Sequence, residues 1–281
     1  MSEEAGLGGE RWLAVRVEPS SDPQPVIDAL FAFGSLGVQE DGRAVLTHFP
    51  PRTSSRAVKD SILAADPGAS ISAELAPIAD WSQWRASVGA HDLGVLTIAP
   101  PWLAVESGIA TTVVIDPGMA FGTGEHATTR GVVRLLQRLG TIPRLVADLG
   151  AGSAVLSIAA AKLGARHVVA IEVDPDAIPN AQANVRANRV GEQVYVMLGD
   201  AATLLPLLAP VDLILANIIS SVLTEMLPVL TSSVPAGGHA ILSGMLADER
   251  LTMVGAIRPT DWRIISEDIE EGWWSVLLNR L

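Results

Sequence analysis

The chain has 281 residues, 49% hydrophobic and 18% charged, enough to bury one large core or two smaller ones; no apolar run reaches the roughly 18 residues a bilayer span needs. It has no cysteine, which excludes disulfides, thiolate metal sites and a cysteine nucleophile. The net charge of −12 argues against a nucleic-acid partner, whose phosphates call for a basic face, and favours a basic protein partner or plain solubility. The acidic, polar start MSEEAGLGGER is unlike a secretory leader, so a cytoplasmic protein is expected, with no membrane partner.

Residues 10–19 alternate, with Leu13, Val15 and Val17 on one side, and read as a strand. Asp22 can cap a helix over 25–33 with Ile27, Leu30, Phe31 and Phe33 apolar, ended by Gly34 and Gly37. Residues 38–40 and 43–49 flank Asp41-Gly42, a pair suited to a tight hairpin turn. A helix over 54–65, with Val58, Ile62 and Leu63 inward, and a strand over 69–75 complete a β-α-β-β-α-β order. That order predicts a small ferredoxin-like α+β domain over residues 1–76, without a catalytic constellation, as a binding or structural module. Residues 77–92 are expected to form a linker helix, whose Trp81, Trp84 and Arg85 fall at helical spacing.

From residue 93 the pattern alternates strand and helix, as in an α/β domain. Strands are predicted over 93–99 and 112–116, followed by the glycine-rich PGMAFGTGEHATT and a helix over 128–139. The run LVADL (145–149), the turn GAGSA (150–154), a helix to residue 163 and the run HVVAIEV (167–173) form a β-α-β unit. Next come a helix over 177–189, a strand over 193–198 followed by Gly199-Asp200, and the strand DLILA (212–216) ending at Asn217. A helix over 221–230, the strand 239–243 and the segments 247–257, 262–269 and 273–278 finish the domain.

Strand, glycine turn, helix, strand and an acid is the layout of a nucleotide-type cofactor site. A dinucleotide fingerprint, G-x-G-x-x-G or G-x-G-x-x-A, requires a small third residue, and Val155 stands there. Read as G-x-G-x-G, the positions are Gly150, Gly152 and Ala154, a spacing that resembles motif I of the S-adenosylmethionine methyltransferases. Glu172 would then accept from the ribose hydroxyls, and Asp200 would lie near the adenine or else cap its loop.

DPGMAFGTGEHATT (116–129), VADLGAGSAVLSIAAAKLGA, the VDP of 173–175, the ANI of 216–218, LSGML (242–246), Asp80-Trp81 and Gly272-Trp273 resemble, in order and spacing, the bacterial methyltransferases of large-subunit ribosomal protein 11, the PrmA family. The likeness covers residues 80–281; the first 76 residues agree in size and pattern. It implies a C-terminal Rossmann-like, seven-stranded class I methyltransferase domain over 93–281, with the small domain recognising the ribosomal protein. It also implies S-adenosyl-L-methionine as cofactor and methyl transfer to lysine side chains, with the N-terminal α-amine as a further acceptor. A monomer is expected.

Carried over, Thr129, Gly150, Gly152, Glu172 and Asn217 would bind the cofactor, and Phe121, Gly122, Thr123 and Gly124 would form the loop over its methionine end. Three features depart from the family pattern: GAGSA for G-C-G-S-G, Glu172 where Asp is commoner, and HATT for H-P-T-T, which removes a fixed φ at the helix start. Asn217 would accept the amine hydrogens through its side-chain carbonyl, or else cap the helix behind it. His126 is a substrate-side, loop-ordering or ordinary loop residue; Asp116 would hold the loop. Three alternatives stay open: a related lysine methyltransferase with another target, an NAD(P) oxidoreductase, and a cofactor-binding module without catalysis. The oxidoreductase is disfavoured by Val155 and by the lack of a Tyr-x-x-x-Lys pair, Tyr195 being the only tyrosine.

Overall fold

The computed structural model describes residues 11–35, 38–41, 44–50, 52–77, 88–104, 111–116 and 124–281, and the chain divides into two compact units, 1–87 and 88–281. In the first, β1 (Arg11–Glu18) turns Leu13, Val15 and Val17 into a core shared with α1 (Gln24–Ala32) and α2 (Ser55–Ala65). Strands β2 (Val38–Asp41), β3 (Ala44–Phe49) and β4 (Ser70–Pro77) pair antiparallel in the order β2-β3-β1-β4, a ferredoxin-like sheet. Two helix faces differ from the expected ones. Val26, one turn before Leu30, is buried in place of Phe31, which is 49% exposed, and Leu63 also points outward beside buried Ile62. Trp81, Trp84 and Arg85 lie outside the described residues. The last two residues of the expected linker helix instead form a strand, β5 (His91–Asp92), because they pair with a neighbouring strand.

Strand β5 joins β6 (Thr97–Ala99) and β7 (Thr112–Val114) in a three-stranded sheet. The main sheet has seven strands: β8 (Leu145–Leu149), β9 (His167–Glu172), β10 (Val194–Leu198), β11 (Leu213–Asn217), β12 (His239–Leu246), β13 (Trp262–Glu270) and β14 (Trp273–Arg280). Their order is β10-β9-β8-β11-β12-β14-β13; the first five run parallel, and β14 is antiparallel to both its neighbours. One core packs α3 (Ala127–Arg138), α4 (Val155–Lys162) and α5 (Ile178–Ala187) against one face. A second packs α6 (Ala201–Leu208), α7 (Ser220–Ser233) and α8 (Arg250–Ile257) against the other. Burial on both faces is why the central strands read as unbroken apolar runs. Helix α6 has no counterpart among the predicted elements; Pro206 interrupts its pattern, yet Asp200 caps it.

Strand parity then decides where the polar residues go. Val146 of β8 faces α3–α5 and Ala147 and Leu149 face the other layer, so Asp148 falls on the α3–α5 side. By the same alternation Glu172 follows Val168 and Ala170, Asn217 follows Leu213 and Leu215, and Ser243 follows Ile241, all on that side. Helix α3 is fastened over these strand ends by an ion-pair ladder. Arg130, Arg134 and Arg138, one turn apart, meet Asp268 and Glu270 of β13, with Arg134 Nε 3.0 Å from Asp268 Oδ2 and Arg130 Nε 3.1 Å from Glu270 Oε1.

Candidate cofactor and acceptor site

In an open parallel sheet the crevice at the carboxyl ends of the strands, where the strand order reverses, is the natural ligand site. Here the reversal falls between β8 and β11, which bear the glycine turn and Asn217. The turn carries three residues at positive φ: Gly150 (+69°), Gly152 (+52°) and Ala154 (+65°). Glycine adopts this region freely, whereas buried Ala154, at the N-cap of α4, holds a conformation that costs an L-residue about 1–2 kcal/mol. The third glycine position is therefore occupied by alanine without a change in the turn's left-handed form.

The amides of Gly150 and Ala151 donate to the Ile171 carbonyl at 2.9 and 3.0 Å, tying the turn to β9. Glu172 binds it from the same strand: Oε2 accepts the Gly152 N–H at 2.7 Å, and Oε1 accepts those of Val173 and Asp174 at 2.8 and 2.9 Å. The glutamate thus reaches across to the turn while its carboxylate stays at the carboxyl edge of the sheet. Asp200 Oδ1 accepts both the amide (2.8 Å) and the hydroxyl (2.7 Å) of Thr203, so it caps α6, and these bonds hold its carboxyl below the usual range.

Two groups under the crevice stand out because they are buried and incompletely satisfied. Asp148 is fully buried; its Oδ2 accepts the Ser157 hydroxyl at 2.6 Å, while Oδ1 has no partner among the described residues. Burial pushes its carboxyl up from 3.8 to about 6; the Ser157 bonds oppose the rise, and the neighbouring Glu172 charge adds to it. Thr129, in the first turn of α3, is likewise fully buried with its hydroxyl unpartnered among the described residues. A bare acceptor and a bare hydroxyl in such places cost stability unless a ligand satisfies them.

On the acceptor side, Asn217 does not cap the helix behind it. Helix α7 starts from Ile219 without a side-chain cap, and Asn217 Nδ2 instead donates to Thr128 Oγ1 at 3.1 Å. His126 is the N-cap of α3: its Nδ1 accepts the Thr128 N–H at 3.4 Å and lies 2.7 Å from Thr128 Oγ1. An Nδ1 that accepts an amide hydrogen carries no proton, so the Thr128 hydroxyl donates to it and keeps its lone pairs for Asn217. The chain of bonds is Asn217 to Thr128 to His126, and the imidazole rests edge-on against Trp273 with centroids 4.8 Å apart. Burial foremost, and then the Arg130 charge, lower the His126 pKa, with Glu271 opposing, so the ring is neutral near pH 7. The Asn217 amide is thereby fixed through its nitrogen, and its carbonyl oxygen has no partner among the described residues.

Of the residues predicted from the sequence, the structure brings Gly150, Gly152, Glu172 and Asn217 to the strand ends, and at the start of α3 His126 is bonded to Asn217 through Thr128, with Thr129 next in the chain. Gly124 precedes them at φ +92°, packed so closely on Ile98 that a side chain would collide. Phe121, Gly122 and Thr123 lie outside the described residues. Asp116 is exposed and holds the end of β7 through its backbone alone, to Asn180 and Asn184. Asp148 and Thr128 escaped the sequence reading, since neither burial nor hydrogen-bond direction is written in a motif.

The model of the ribosomal protein L11 methyltransferase (PrmA) family matches residues 14–280. A protein of that name from Synechococcus sp. (strain RCC307) is 39% identical over 210 residues, which is 73% of this chain and 69% of that protein. One from Geobacter sulfurreducens is 36% identical over 272 residues, covering 90% of this chain and 87% of its own length. Among solved structures, the ribosomal protein L11 methylase from Lactobacillus delbrueckii subsp. bulgaricus is similar, with 28% identity and a TM-score of 0.61, over 68% of this chain and 98% of that one. The seven-stranded sheet is accordingly that of a Rossmann-like class I methyltransferase, and the chain belongs to the ribosomal protein L11 methyltransferase (PrmA) family.

Proposed function

We propose that this chain methylates amino groups of ribosomal protein L11, with lysine side chains as principal acceptors, using S-adenosyl-L-methionine in the cytoplasm. The single observation that carries the cofactor assignment is the pair of orphaned buried groups, Asp148 Oδ1 and the Thr129 hydroxyl. A free amino-acid end presents an ammonium that donates and a carboxylate that accepts, which is what a bare acceptor and a bare donor require. Glu172 Oε2, with one N–H accepted, keeps a lone pair for a ribose hydroxyl, and the left-handed turn permits close approach of the ligand.

When bound, the cofactor supplies a sulfonium methyl group open to in-line displacement by a neutral amine. The protein's own contribution is position. Asn217 Oδ1, freed by the Thr128 contact, accepts an amine hydrogen and turns the nitrogen lone pair towards the crevice, one part of the alignment that a whole site can make worth about 7–11 kcal/mol. The His126 Nδ1 is committed to Thr128 and serves to order it, not to remove the substrate proton. Lysine, of ordinary pKa about 10.4, therefore loses its proton before or on docking. The small unit is the part we assign to recognition of L11, because the groups proposed for cofactor and acceptor all lie in the second unit.

Isothermal titration with S-adenosyl-L-methionine and, separately, with NADH tests the cofactor assignment. Binding of the first and not the second is expected; tighter NADH binding would refute it.

A further inference from the structure

Helix α5 carries asparagines at 180 and 184, and Asn188 follows as its C-cap, giving a spacing of four residues. Four helical residues rise about 6 Å, and two strand residues span about 6.6 Å, so such a stripe can follow the edge of a strand. Each amide also presents one donor and one acceptor face, as a peptide group does. The contacts follow this match. Asn188 Oδ1 accepts the Val114 N–H at 2.8 Å and its Nδ2 donates to the Val114 carbonyl at 2.6 Å. Asn184 Oδ1 accepts the Asp116 N–H at 3.0 Å, and Asn180 Nδ2 donates to the Asp116 carbonyl at 3.3 Å. The helix thus stands in for a missing strand along the edge of β7 that β6 does not pair.

One member does more than pair the strand. Asn184, 1% exposed, also donates through Nδ2 to the carbonyl of Ser153, inside the Gly150–Ala154 turn, at 3.1 Å. Its amide therefore spans two segments far apart in sequence, the end of β7 and the glycine turn. We propose that Asn184 is a positioning residue for the cofactor, holding the glycine turn at a fixed separation from the end of β7, so that ligand affinity depends on this one amide. The proposal rests on the reading of the turn as the S-adenosyl-L-methionine site. Asn188 provides an internal control, being almost as buried and bonded to the same strand with no hydrogen bond to the turn.

The test is titration of the full chain with S-adenosylhomocysteine, for the unaltered protein, Asn184→Asp and Asn188→Asp, alongside melting temperatures. Asn184→Asp keeps the acceptor for Asp116 but sets a carboxylate oxygen against the Ser153 carbonyl. It is expected to raise Kd about tenfold or more, while Asn188→Asp raises it by less than about threefold despite a similar fall in melting temperature. Equal changes in Kd for the two variants, or none for Asn184→Asp, would overturn the proposal. Hydrogen exchange on the unaltered protein gives a second measurement independent of variant folding. Ligand binding should slow exchange of the Asp116 amide about tenfold and that of the Val114 amide far less, and equal protection would contradict the coupling. Failure of the unaltered chain to bind the ligand would instead remove the cofactor reading.

Discussion

Asp148→Asn should gain stability relative to the ligand-free wild type as pH rises, and weaken its cofactor site. In the folded state the carboxyl titrates at about 6 against an ordinary 3.8, because burial disfavours its charge. Between these values the folded state binds a proton that the unfolded state does not, so stability falls as pH rises. The difference of 2.2 units, 6 minus 3.8, is about 3 kcal/mol at 1.36 kcal/mol per unit, fully expressed above pH 7 and about half expressed at pH 5. An asparagine does not titrate, so whatever constant its amide adds, the stability of Asp148→Asn relative to wild type should grow by about 1.4 kcal/mol from pH 5 to pH 8. Urea denaturation across that range measures it. Cofactor binding supplies a second slope: a carboxylate that receives the ligand's ammonium is favoured in its charged form, so wild-type affinity should rise from pH 5 to pH 8 and the variant's should not. Parallel stability profiles for the two proteins would show that Asp148 is not buried as a strained acid, and an unchanged affinity slope would show that it does not meet the ligand.

Other expectations concern the acceptor side and the frame. Asn217→Ala should reduce kcat about a hundredfold while the S-adenosyl-L-methionine Kd moves less than about threefold, and unchanged turnover in a steady-state assay would remove its role in holding the amine. Thr128→Val, nearly isosteric, should lower kcat about tenfold because it releases both Asn217 and His126, whereas Thr128→Ser should retain activity within about twofold; equal losses would implicate packing instead. Asp268→Ala strips Arg134 and Arg138 of a shared partner and, with both arginines partly exposed, should cost about 1–2 kcal/mol, lowering the melting temperature by about 2–8 °C. Calorimetry reads this, and a smaller effect at high salt is expected.

The sheet was legible because a strand buried on both faces leaves an unbroken apolar run, as LVADL and DLILA do, and because Gly-rich turns and acids mark the strand ends. Helix faces were read less well: Phe31 and Leu63 lie outward since a neighbouring residue, not hydrophobicity alone, decides which side meets the sheet. Strand parity could have placed Asp148, Glu172, Asn217 and Ser243 on one side from the sequence, once the layers were known. What no spacing rule could give was the tertiary partner. Asn217 looks like a helix cap until α3 brings Thr128 to it, and the asparagine stripe of 180, 184 and 188 looks like a solvated face until β7 lies against it. Ala154 keeps the positive φ of the glycine it replaces, so the departure leaves the left-handed form of the turn in place.

Transfer of methyl groups itself is the most direct test. The full chain should be incubated with methyl-labelled S-adenosyl-L-methionine and purified L11, and the label located by peptide mass spectrometry. The account predicts labelled amines on L11, formed in step with S-adenosylhomocysteine and about a hundredfold more slowly with Asn217→Ala. Cofactor binding with no label on L11, or label on carboxylates or ring nitrogens, would contradict it.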